Sequence, residues 1–113
     1  MPVSESQVQA AIVKYLRYQL PKTHRVFAIP NGAQRTPQGY AANAVAGLTR
    51  GIPDLCIVGK GQAFFIEVKT ETGRLSPEQK EFADWCLLDG LMGWALCRSI
   101  LDAEKAIRHW KII

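Results

Sequence analysis

Two short apolar runs, Asp54 to Val58 (DLCIV) and Gln62 to Lys69 (QAFFIEVK), are separated only by Gly59-Lys60-Gly61. No other feature restricts the fold as much. Runs of this length joined by a glycine-bearing turn read as a hairpin of two buried strands. Charge sits at one end of each run: Asp54 opens the first, and Glu67 and Lys69 close the second. In an antiparallel hairpin the start of the first strand lies beside the end of the second. The three polar side chains therefore gather at one edge of a sheet. Glu67 and Lys69 are two residues apart and leave the same face, while Ile66 and Val68 take the opposite, apolar one.

Polar groups embedded in apolar runs are costly to bury without a partner. Two adjacent carboxylates repel unless a proton or a cation lies between them. A hard divalent ion removes that conflict, and Mg²⁺ typically takes one or two carboxylates with waters and substrate phosphate. A lysine beside such an ion can orient water and stabilise charge on a reacting phosphate. An ExK sequence alone also describes an ordinary cross-strand ion pair at a solvated edge. Pro53-Asp54 at hairpin distance turns the reading toward a functional site.

The rest of the chain supplies helices and two more strands. Ser4 and Gln7 form a capping box ahead of an apolar stripe at Val8, Ala11, Ile12, Tyr15, Leu16 and Leu20, which Pro21 ends. Glu5 falls at the edge of that stripe. His24 to Ile29 reads as a strand stopped by Pro30-Asn31-Gly32. Residues 30–51 are rich in glycine, amide and arginine, a composition suited to lying against a phosphate backbone, and part of the segment, 40–48, is compatible with a short helix. Ser76-Pro77 with Gln79 opens a second capped helix. Its inner face is expected from Phe82, Ala83, Trp85, Cys86 and Leu87 or Leu88, with Gly90 at its end. Gly93 to Arg98 reads as a strand and Asp102 to Trp110 as a final helix, with Ile107 and Trp110 inward. The order αβββαβα contains one strand–helix–strand crossover, which requires a parallel pair. The expected fold class is α/β, a mixed sheet flanked by helices.

At 113 residues, 48% hydrophobic and 21% charged, the chain is expected to fold as a single domain over 1–113. No apolar run is long enough for a membrane span and MPVSESQ lacks a signal-peptide stretch, so a cytoplasmic protein is expected. Cys56, Cys86 and Cys97 form no CxxC pair, and with His24 and His109 they match no zinc spacing; they read as reduced, buried thiols. Gly59-Lys60-Gly61 suits a turn and is no Walker-type loop. The net charge of +4 is modest, but its distribution is uneven. Lys14, Arg17, Lys22, Arg25, Arg35 and Arg50 lie in a stretch from Ser6 to Pro53 without a single acid. A cationic half of this kind reads either as a solvated face or as the footprint of a polyanionic partner such as nucleic acid.

Gly51-Ile52-Pro53-Asp54, Glu67-Val68-Lys69 and Leu75-Ser76-Pro77-Glu78-Gln79 together resemble the PD-(D/E)XK nuclease superfamily, and more closely its small stand-alone VRR-NUC members of phages and bacteria. The resemblance spans nearly the whole chain and shows no departure at Asp54, Glu67 or Lys69. It implies a PD-(D/E)XK nuclease-like fold and a metal-dependent DNA endonuclease that hydrolyses phosphodiester bonds. Branched DNA, such as a four-way junction, is the implied substrate. Symmetric cutting of two strands needs two active sites, so a homodimer is expected. A nucleic-acid-binding module that keeps the fold without turnover is the alternative.

Residue by residue, the resemblance implies that Asp54 and Glu67 ligate Mg²⁺ or Mn²⁺, with the Val68 carbonyl as a third ligand. Lys69 would contact the attacking water and the scissile phosphate. Glu5 matches a helix acid that completes the metal site in such nucleases; it also reads as a first-turn acid favoured by the helix dipole. Gln79 matches a helix position near the site, and equally the partner of its own capping box. Arg35, Arg50 and Arg74 are candidate DNA contacts, Arg74 reading as well as a solvated loop charge. Tyr40 reads as a stacking or a packing residue, and Trp85, Trp94 and Trp110 as core.

Overall fold

A computed structural model describes residues 2–30, 47, 49–88, 90 and 92–113. Arg35, Tyr40 and, apart from Gly47, the helix expected over 40–48 lie outside the described residues.

The N-terminal capping box forms as the sequence requires. The Ser4 hydroxyl accepts from the Gln7 N–H at 3.1 Å, and the Gln7 side chain accepts from the Ser4 N–H at 2.9 Å. Helix α1 follows over Glu5–Gln19 and ends before Pro21. Strand β1 is His24–Ala28, β2 is Leu55–Gly59 and β3 is Gln62–Val68. Lys60 and Gly61 make the β2–β3 turn with φ of 52° and 78°, the double positive φ that matches the strand twist of a two-residue hairpin. Helix α2 is Pro77–Leu87, β4 is Gly93–Cys97 and α3 is Ile100–His109. The last helix starts two residues earlier than its apolar pattern implies, because the Ser99 hydroxyl accepts from the Asp102 N–H and caps it there.

Among the described residues the strands form one sheet in the order β1-β2-β3-β4. β1 with β2 and β2 with β3 are antiparallel, and β3 with β4 is parallel, as the α2 crossover demands. Leu55 is level with Ile66 and Ile57 with Phe64; with Val68 they form one face, packed against Ile12 and Leu16 of α1 and Ala103 and Ile107 of α3. Burying each such aliphatic side chain contributes about 1.5–3 kcal/mol. The other face carries Cys56 level with Phe65, and Phe65 meets Phe82 of α2 edge-on at 5.2 Å.

Helix α2 corrects one expectation. Only Ala83 and Cys86 are buried on it. Trp85, Leu87 and Leu88 are 57, 56 and 82% exposed. Its covered stripe is narrow: among the described residues α2 packs chiefly against β4, with Phe82 reaching Phe65 of β3, and Trp85, Leu87 and Leu88 fall outside that stripe. Trp85 is therefore not core. The cysteines are free and buried, and burial pushes the Cys97 thiol up to about 12, which makes it chemically inert.

Candidate active site

Continuing the β2–β3 register one step past Leu55 and Ile66 places Asp54 opposite Glu67. A hydrogen bond fixes this corner: the Val68 N–H donates to Asp54 Oδ2 at 2.8 Å. On its other side the Asp54 carbonyl accepts from the Ile29 N–H at 2.8 Å. Asp54 is held by both neighbouring strands, and Pro53 before it is fully buried. The hairpin brings Asp54, Glu67 and Lys69 to one corner, as the sequence spacing implies.

Glu67 is the most unusual group in the chain. It is 1% exposed, and its Oε1 is buried with no hydrogen-bond partner. Burial raises its pKa first; a hydrogen bond with the Asp54 carboxyl and the Asp54 charge raise it further, and Lys69 pulls it down. The result is a carboxyl pushed up to about 9. Two carboxyls joined by a proton, one with an orphaned oxygen, are the arrangement a hard cation relieves, since the cation replaces the proton and satisfies the free oxygen. The residues present fit a divalent ion.

Glu5 enters this field more weakly. Its charge raises the Glu67 pKa as the smallest contribution, and it is exposed in the first turn of α1. Among the described residues no three His, Cys, Asp or Glu side chains lie close enough together to hold an ion, so Asp54 and Glu67 form the acidic pair without it. Gln79 is engaged in its capping box: its Oε1 accepts from the Ser76 N–H at 2.8 Å, and the Ser76 hydroxyl accepts from its N–H at 3.2 Å. Arg50 and Arg74 are exposed.

The outlying parts of the motif also meet. Gly51 has φ of 84°, and a Cβ there would collide with the Glu78 carbonyl in the first turn of α2. The glycine allows the segment leading into Asp54 to lie directly on the start of the helix. The atoms approached are backbone atoms of Glu78 and Gln79, so the contact requires glycine at 51 whatever side chains the helix carries there.

Sequence reasoning missed one residue at this corner. Arg98 follows β4 and is level with Lys69 when the β3–β4 register is extended one step beyond Val68 and Cys97. Its Nη1 lies 2.6, 3.2 and 2.7 Å from the carbonyl oxygens of Thr70, Glu71 and Gly73. No motif points to it, and only the parallel pairing of β3 with β4 brings it there.

A mixed sheet flanked by helices, with an acid pair and an amine at the end of its central hairpin, defines a nuclease-type domain. The VRR-NUC domain model matches residues 4–99, and the chain belongs to the VRR-NUC family. It is similar in fold to a VRR-NUC domain protein of known structure, with a TM-score of 0.75 at 19% identity, covering 100% of this chain and 93% of that one. No curated protein matches the chain in sequence. Membership implies nucleic acid as the partner and, as is usual for such domains, a divalent metal requirement. Among the described residues no helix is long and apolar enough to cross a membrane.

Proposed function

We propose that this chain is a Mg²⁺- or Mn²⁺-dependent endonuclease that cuts DNA, preferentially branched DNA such as a four-way junction, as a homodimer. The observation that carries this reading is the buried, unpartnered Oε1 of Glu67 beside the Asp54 carboxyl. Asp54 and Glu67 would hold the ion, with the Val68 carbonyl as a further ligand and Glu5 acting at longer range. When bound, the ion neutralises charge developing on the phosphate and makes water a stronger nucleophile.

Lys69 is half-buried at the same corner. Its ammonium holds the attacking water and a non-bridging phosphate oxygen in place. A new P–O bond forms from water as the bond to the 3′ oxygen breaks, and a proton passes to that oxygen, leaving a 5′-phosphate and a 3′-hydroxyl. Support for DNA as the substrate comes from charge. Lys14 and Arg17 are exposed on α1, beside a groove of about 520 Å³ lined also by Ser6, Gln9, Ala10 and Val13. Arg35, Arg50, Arg74 and Gln79 are the further candidate contacts. The branched-DNA preference rests on the family resemblance. The homodimer is supported by the apolar surface of Trp85, Leu87 and Leu88.

The test is cleavage of four-way junction and linear duplex DNA with Mg²⁺, by the parent beside Asp54→Ala and Lys69→Ala. The parent should nick the junction, and each variant should lose about 100-fold or more in rate. Variants that cut like the parent overturn the assignment. A parent that binds DNA but yields no product with any divalent ion is a binding module instead.

A further inference from the structure

We propose that Arg98 is a positioning residue for the Lys69 amine, acting through the loop 70–73 and without touching the substrate. This rests on the role given to Lys69 above. Three observations converge. The Lys69 backbone is pinned by its N–H donating to the Cys97 carbonyl at 3.1 Å, so its Cα is fixed by β4. The chain then turns back on itself, with the Gly73 N–H donating to the Thr70 carbonyl at 3.2 Å. That turn lies against the Lys69 stem: a Cβ on Gly73 would sit 3.3 Å from Lys69 Cδ and 3.4 Å from Lys69 Cβ. The loop is one wall of the slot in which the lysine side chain lies.

Besides the Gly73–Thr70 hydrogen bond that closes the turn, Arg98 ties the wall to β4. Carbonyls of Thr70, Glu71 and Gly73 point into one spot, and their mutual repulsion favours opening. The Arg98 guanidinium fills that spot and donates to all of them. Hydrogen bonds from a charged donor are stronger than neutral ones. Arg98 is itself anchored, since its N–H donates to Asp102 Oδ2 at 2.8 Å in the first turn of α3. The connection runs from α3 through Arg98 and the loop to the stem of Lys69. A free lysine side chain samples many rotamers, and a 1 Å misplacement of a catalytic group can cost about 100-fold in rate. Restricting the stem is how a residue remote from the phosphate affects the chemistry. Lysine at 98 would offer a point charge in place of a planar fork and reach fewer of the carbonyls.

The experiment is a double-mutant cycle on single-turnover cleavage of a junction by the full chain, using the parent, Arg98→Ala, Lys69→Ala and the double variant, with Arg98→Lys as the conservative change. Binding of the same junction with Ca²⁺ and amide exchange over 69–74 are measured alongside. Arg98→Ala should lower the cleavage rate about tenfold to 100-fold, leave the junction Kd within about twofold and speed exchange over 69–74 selectively. Arg98→Lys should fall between. In the Lys69→Ala background, Arg98→Ala should change the rate less than about twofold, because the group it positions is gone. Additive losses in the cycle, or a weakened Kd in place of a slowed step, overturn the proposal and make Arg98 a structural or DNA-contacting residue. A parent that does not cleave overturns the nuclease reading, and the exchange measurement still reports whether Arg98 holds the loop.

Discussion

The Asp54 carboxylate accepts a 2.8 Å hydrogen bond from the Val68 N–H, joining residues fourteen apart in sequence. One side chain thus fixes the register at the hairpin's open end while presenting charge to Glu67. Asp54 has a structural and a chemical role, and substitutions separate them.

Asp54→Asn keeps an oxygen acceptor for the Val68 N–H and removes the charge. It should leave stability within about 1 kcal/mol of the parent while abolishing Mg²⁺-dependent cleavage. Asp54→Ala leaves that donor without its partner and should cost about 1–3 kcal/mol as well. Urea titrations read beside cleavage assays check both, and equal stability losses in the two variants would deny the structural role.

Glu67 makes the metal-free protein lose stability as pH rises from about 4.5 to about 9. Its folded-state pKa is raised from 4.5 to about 9, so the folded form binds an extra proton across that interval. The stabilisation is fully present below about pH 4.5 and is lost as pH rises toward 9, at up to about 1.4 kcal/mol per pH unit. Metal-free parent should therefore lose Tm across this window relative to Glu67→Gln, which has nothing to ionise there. Parallel pH–Tm curves for the two chains would refute the assignment.

A divalent ion should reverse that trend, because it takes the place of the shared proton. Added Mn²⁺ should raise Tm more at pH 8 than at pH 6 and release protons on binding, seen by calorimetry in buffers of different ionisation enthalpy. Glu67→Gln should show neither effect, and chelation should stop cleavage by the parent.

Gly51→Ala should cost at least about 2 kcal/mol, from the positive φ together with the collision against the Glu78 carbonyl. Gly61→Ala is the control: it has a positive φ of 78° and nothing near its Cβ, so it should cost only the backbone term, about 1 kcal/mol. Denaturant midpoints measure both, and equal losses would show that the Gly51 contact with α2 is unimportant.

Trp85→Glu combined with Leu88→Glu should convert a dimer into a monomer in sedimentation while costing monomer stability about 1 kcal/mol, the loss of the Trp85 ring contact with Phe82 at 5.6 Å, since both side chains are otherwise exposed. On a four-way junction the variant should still nick, but without paired cuts. A parent that sediments as a monomer bound to its junction would remove the dimer from the reading.

The capping boxes, the hairpin with its Lys60-Gly61 turn and the crossover were legible because each depends on residues close together in sequence. The meeting of Asp54, Glu67 and Lys69 was legible too, as antiparallel pairing across a short turn leaves no other register. Trp85 was misjudged because helical spacing marks an apolar position without telling whether anything lies opposite it. Arg98 left no trace, because its acceptors lie twenty-five or more residues away, on a loop reached through the β3–β4 pairing.

Local sequence alone determined that two acids and an amine would share one end of a buried hairpin, since strand alternation and a two-residue turn leave little freedom. The tertiary structure decided what that corner became. In the assembled fold Glu67 is 1% exposed, one of its oxygens is without a donor, and the parallel strand β4 sets Arg98 against the loop beside Lys69. Burial and long-range pairing depend on which elements come to lie against one another, and that is settled only when the whole sheet and its helices assemble.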